Sequence, residues 1–201
     1  MTILAIEKST SDFTPLNKGI HLAICNSVVD IGLQETPWGI KEKIWLGFEV
    51  PAERIQYTKD GEEIDAPQSI WKPYTKNLHK KSNLRNDLEA WRGKKFTKEE
   101  LAGFDMTNLV GKPCQLIVVH NESDDRTYAN IKSIVEIQQG MEIPPQELPS
   151  ICFGSEDTDQ WKDVPEWLQK KFDARIEPEE KEPATVEAES VDDFENAVIP
   201  F

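Results

Sequence analysis

The sequence predicts a mainly β domain: a five-stranded barrel with a helical insert between its third and fourth strands, followed by an acidic tail. Three observations carry this. Apolar residues recur at every second position through several segments between 19 and 137. A strong helical spacing, Leu84, Leu88 and Trp91, falls in the gap between the third and fourth main strand segments. After Gln138 the chain becomes Pro-containing and then acidic.

Residues 1–17 form a weak lead-in with a short strand expected at Ile3–Ile6. The first main strand, Gly19–Gln34, carries Ile20, Leu22 and Ile24 at period two, then Val28, Val29, Ile31 and Leu33. The second, Trp38–Val50, places Trp38, Ile40, Ile44, Leu46, Phe48 and Val50 on one face and Lys41, Lys43, Trp45 and Glu49 on the other. Pro51 is expected to end it. A hairpin follows, turning at Asp60-Gly61. Asp65-Ala66-Pro67 is expected to break its return, and Ser69–Thr75 forms the third strand. Ser82 caps a helix over Asn83–Trp91, and Gly93 ends it. Thr97-Lys98-Glu99-Glu100 is a capping-box pattern opening a second short helix. Gly111-Lys112-Pro113 turns the chain into strands Cys114–His120 and Thr127–Ile137. Five strands with a helix between the third and fourth is the order of an OB-fold, a small Greek-key barrel used for single strands and oligosaccharides. A generic β-sandwich is the alternative. Residues 1–150 are thus read as one OB-fold-like domain. Residues 151–176 are a connector holding a short helix near Trp161–Phe172, and 177–201 a disordered acidic tail.

The net charge of −14 argues at first against a polyanionic ligand, but the distribution of that charge points the other way. Residues 151–201 hold 5 basic and 15 acidic residues. Residues 72–98 hold nine basic and two acidic. The charge is segregated, and clustered cations, more than net charge, are the footprint a phosphate backbone needs. Single strands are bound by a positive groove interleaved with aromatic platforms. Three strands offer that mixture. Trp45 shares a face with Lys41 and Lys43, Tyr74 with Lys72 and Lys76, and Tyr128 with Asn130 and Lys132. Trp38 and Trp71 are read as core. The segment 74–85 adds Lys80, Lys81 and Arg85 among hydroxyl and amide side chains suited to phosphate. The expected nucleic-acid contacts are therefore Lys41, Lys43, Trp45, Lys72, Tyr74, Lys76, Lys80, Lys81, Arg85, Tyr128 and Lys132.

Two motifs then carry a resemblance. The run Tyr74-Thr75-x-x-Leu78-x-x-Lys81-Ser82-x-Leu84-Arg85, with Leu88-x-x-Trp91-Arg92-Gly93 and Phe96-Thr97, resembles phage-encoded single-stranded DNA-binding replication proteins. The terminus, with Asp192, Asp193 and Phe194 followed by Ile199, Pro200 and Phe201, is similar to the terminal peptide of bacterial single-stranded DNA-binding proteins. It departs from that pattern in having Asn196-Ala197-Val198 where further acids are usual. The resemblance implies an OB-fold core that coats single-stranded DNA and a tip that recruits replication or recombination proteins. The chemistry of the tip agrees: a terminal aromatic fills a small pocket and its carboxylate pairs with a cation.

Enzyme readings find little support. His21, His79 and His120 stand in no metal-ligand spacing, no Gly-rich phosphate loop is present, and no nucleophile has a credible base. No cofactor is expected. Cys25, Cys114 and Cys152 are few, odd in number and unpaired by spacing, as in a reduced cytosolic protein. No apolar run reaches membrane-spanning length and no secretory signal is evident. The lead-in strand and the Trp161–Phe172 segment are the two candidates for self-association. A protein–protein adaptor and a strand-annealing mediator are the competing functions.

Overall fold

The computed structural model describes residues 14–59, 61–123, 126–154 and 160–177. The lead-in strand expected at Ile3–Ile6, the acidic stretch from 178 and the tip at 192–201 lie outside the described residues.

Strong period-two patterning yields five long strands: β1 (Gly19–Gln34), β2 (Lys41–Lys59), β3 (Glu62–Thr75), β4 (Pro113–Ser123) and β5 (Arg126–Val135). They form one curled antiparallel sheet, a half-barrel, in the order β3-β2-β1-β4-β5. Register shifts at Cys25/Ser27, Asp30/Leu33, Val50/Arg54 and Ile117/Val118 bend the strands. The curl is tight enough for Lys72 Nζ on β3 to reach the Lys132 carbonyl on β5 at 3.4 Å, although these strands end opposite sides of the path.

The concave side holds the main core. Ala23, Cys25, Ile44, Leu46, Phe48, Val50, Leu116, Val118, Ile131 and Ile134 are buried there. Helix α1 (Asn83–Arg92) closes it with Leu84, Leu88 and Trp91, whose indole N–H donates to the Pro113 carbonyl at 2.8 Å. Burial pushes the Cys25 thiol up to about 12 and raises Cys114 as well, so both behave as small apolar side chains. Local signals set the helix ends. Ser82 Oγ accepts the Arg85 N–H, Gly93 takes the left-handed conformation (φ 65°), and Thr97 and Glu100 complete a capping box at α2 (Lys98–Ala102).

Two expectations about strand ends are corrected. Pro51 does not end β2, and Asp65-Ala66-Pro67 does not break β3. Both strands run on into a hairpin arm, and the irregularity between the pairs Val50–Gln68 and Arg54–Pro67 absorbs Pro51.

A second apolar layer covers the convex side. Val29 and Ile31 of β1 pack with Ile151 and Phe153 of β6 (Ile151–Phe153), which runs parallel to β1, and with Val164 and Leu168. Leu168 belongs to helix α3 (Glu166–Asp173). The short helix expected near Trp161–Phe172 is present as α3, and segment 151–176 also contributes the strand β6, so that both belong to this layer. The segment's entry is fixed by Glu49, a fully buried carboxylate on β2 that accepts the backbone N–H groups of Glu147 (2.9 Å) and Leu148 (2.7 Å). No helix among the described residues is long and apolar enough to cross a membrane.

Candidate functional site

The β1–β2 connection is a tight turn. Thr36 and Gly39 exchange backbone hydrogen bonds at 3.2 and 2.9 Å, Thr36 Oγ1 donates to the Gly39 carbonyl at 2.6 Å, and Gly39 has φ 92°. Pro37 and Trp38 form its tip. Trp38, expected in the core, is 84% exposed. The alternation that assigned it inward belongs to the strand and does not extend through the turn. The ring is thus presented to solvent from a turn closed by these hydrogen bonds.

Trp38 stands on the wall of a groove of about 540 Å³. Its other walls come from Lys41 and Lys43 at the start of β2, Pro73 and Thr75 at the end of β3, and Asn77, His79, Lys81 and Asn83 between β3 and α1. The β3–α1 loop is stiffened by its own polar groups. Ser82 Oγ donates to the Asn77 carbonyl at 3.0 Å, the His79 N–H to Asn77 Oδ1 at 3.2 Å, and the Lys81 N–H to His79 Nδ1 at 3.3 Å. Lys80 and Lys81 therefore point outward from a fixed backbone. Lys43 Nζ donates to Thr75 Oγ1 at 3.0 Å, which orients it across the β2–β3 pair. No Asp or Glu lines this groove, in a chain that carries 37 of them.

The expected site residues other than Trp45 and Tyr74 divide into three groups. Lys41, Lys43 and Lys81 meet in the groove, with Lys80 beside it. Lys72, Lys76 and Arg85 are engaged in ion pairs: Lys72 with Asp87 at 2.7 Å, Lys76 with Asp30 at 2.6 Å and Arg85 with Glu89 at 2.8 Å. The hydrogen bond from Lys76 to Asp30 raises the lysine's pKa, and the Arg85 guanidinium lowers that of Glu89. Tyr128, 46% exposed, and Lys132 lie on β5 and are not part of the groove lining.

The faces of β3 are a correction. Tyr74, expected as an open platform, contributes to the groove lining but is only 3% exposed, and its hydroxyl donates to Asp87 at 2.6 Å. Burial, with Asp87 adding to it, pushes its pKa far above that of free tyrosine. Ile70 and Tyr74 go inward with Lys72 at the rim, so Trp71, expected in the core, points to the convex side. There it meets Trp45, and Trp167 of α3 stands edge-on to both, with ring centroids 4.8 Å from Trp45 and 5.8 Å from Trp71. Trp45 is thus half-covered, not an open platform. Apolar residues occupy both alternations of β3, which is why period two alone does not orient it. The turn chemistry of Thr36-Pro37-Trp38-Gly39 is the signal that finds the exposed ring.

Searches against protein-family models and against curated proteins return no match for this chain.

Proposed function

We propose that this protein binds single-stranded DNA without catalysing a reaction, as a replication or recombination factor of phage type. The observation that carries the reading is the groove: three lysines, hydroxyl and amide groups, an exposed tryptophan and no carboxylate, on an otherwise acidic protein. Phosphates take the lysines and a base stacks on Trp38, each stacked base contributing on the order of 1–3 kcal/mol. The strand path β3-β2-β1-β4-β5, with α1 between β3 and β4 in the chain, supports an OB-fold reading. In OB-folds ligands lie against strands 2 and 3 and the loop joining strands 1 and 2, and the groove lies there.

The acidic tail adds a second role. Residues 178–201 hold eight acidic residues and one basic. They follow Ile176, whose N–H donates to the Leu33 carbonyl at 2.9 Å, just ahead of the turn that bears Trp38. A tail starting there competes with DNA for the groove at high effective concentration. When DNA displaces it, Ile199-Pro200-Phe201 is offered to replication or recombination proteins.

Tryptophan fluorescence during titration with oligo-dT, at low and high salt and with duplex as control, tests the reading. Saturable quenching by single strands that weakens with salt, is far smaller with duplex and is reduced in Trp38→Ala supports it. Equal responses to single strand and duplex, or none, overturn it. Deleting residues 178–201 raises affinity at low salt if the tail competes, and leaves it unchanged if it does not.

A further inference from the structure

The groove stops at Lys43, Thr75 and Pro73, but the face it opens on does not. Along the convex side the next cross-strand positions are Trp45 opposite Pro73 and Gly47 opposite Trp71. A Cβ on Gly47 would come within 2.9 Å of the Trp71 ring, so glycine is what lets that ring lie flat across β2. Trp167 of α3 stands on both rings and keeps 39% of its surface in water. Lys171, one turn further along α3, places Nζ 6.0 Å from the Trp45 ring centroid and has no ion pair among the described residues. Lys170 is exposed beside it and pairs loosely with Glu166 at 4.0 Å. Asp173 is the other carboxylate of the helix.

The helix is tied to the groove. Gln34 Nε2, at the end of β1 and just before the Trp38 turn, donates to the Lys171 carbonyl at 3.0 Å. Leu168 and Val164 anchor the segment in the convex apolar layer. It is therefore a fixed wall and not a flap over the sheet. A wall that only covered Trp45 and Trp71 would need the inner edge of Trp167 and no cation next to it.

We propose that Trp167 and Lys171 extend the single-strand path beyond the groove, so that a strand stacked on Trp38 crosses Lys43 and continues over Trp167. This rests on the groove reading given above. Gly47 lies four positions beyond Lys43 on β2, which adds about 13 Å to the path. The extension is reached by long strands and missed by short ones. OB-folds occlude about 4–16 nucleotides, so oligo-dT of about 5 and about 16 residues brackets the question.

The test is fluorescence anisotropy of labelled oligo-dT of both lengths with the full chain and four variants: Trp38→Ala, Trp167→Ala, Lys171→Gln and Lys171→Glu. Thermal melts of each variant accompany the titrations. The expected result is about a tenfold loss for Trp167→Ala on the long strand, with less than about a twofold change on the short one. Lys171→Glu shows the same length dependence, and Lys171→Gln shows it more weakly. Because Lys171 is at the surface, its variants keep the test valid if Trp167→Ala loosens the convex layer. Unchanged long-strand affinity in the Lys171 variants, with Trp38→Ala weakening both lengths, overturns the extension and leaves the groove reading intact. Wild-type binding that Trp38→Ala does not weaken at either length overturns the groove reading itself.

Discussion

Two sets of cations on this protein differ in what they meet in the fold, although charge alone does not tell them apart. At the β3–α1 corner Lys72, Lys76, Arg85 and Arg92 each meet a carboxylate: Asp87, Asp30, Glu89 and Glu100. Around the β1–β2 turn Lys41, Lys43 and Lys81 face a groove without one. The first set orders the packing of helix and loop against the sheet, and the second has no ion pair among the described residues. Counting charges along a chain does not separate them. Asp30 lies 46 positions before Lys76, and its contribution appears only when the fold brings it in.

Four experiments sharpen or break this contrast. The largest effect is expected at the engaged set. Asp87→Ala leaves the buried Tyr74 hydroxyl and the Lys72 ammonium without their shared acceptor, and costs about 2–3 kcal/mol of stability by urea unfolding. Little loss would mean the corner is not held by that carboxylate. Next is Trp38→Ala, expected to weaken single-strand affinity by about tenfold with no fall in melting temperature, since the ring packs on nothing it stabilises. A large drop in melting temperature would place Trp38 in the fold and not in the site.

Third, the triple variant Lys41→Gln, Lys43→Gln, Lys81→Gln should reduce the slope of log affinity against log salt by about 2, at roughly 0.7 per lost phosphate contact. Lys76→Gln should leave that slope alone, and equal slopes for both would erase the distinction. The smallest effect is on pH. Glu100 is held below the usual carboxylate range by the Thr97 backbone N–H and then by Arg92, and Glu89 by Arg85. Lowered in the folded state, these groups add stability that is fully present above the ordinary value of 4.5. It is lost as pH falls from there through the lowered folded-state values. Melting temperatures between about pH 3 and 6 should fall less steeply in Glu100→Gln than in the parent protein.

Much of the half-barrel was legible because its signals are local. Ser82, Gly93 and Thr97 state where helices begin and end, and β2 carries aliphatic residues on one alternation from Ile44 to Val50. What was not legible depends on partners far along the chain. Tyr74 and Trp71 compete for the same inward role, and Asp87 decides between them. β6 is three residues long and pairs with a strand more than a hundred positions earlier, so 151–176 reads as a connector. The candidate site was half legible. Lys41 and Lys43, expected from the face of β2, and Lys81, expected from the cationic stripe, line one groove, whereas Trp38 was misassigned by carrying strand alternation into a turn that its own Pro and Gly announce.

The two apolar layers depend on each other in one direction only. Among the described residues, the concave core draws on nothing beyond Ile134, while the convex layer is built on Val29, Ile31, Trp45 and Trp71 of the half-barrel's own back. The half-barrel is thus the template and the C-terminal layer the copy that needs it. Opening the layer leaves the template standing, but no opening of the half-barrel spares the layer. Backbone amides of 151–176 should therefore exchange with solvent through a smaller, separate unfolding event than those of β1 and β2, giving the molecule a hierarchy of two cooperative units within one chain.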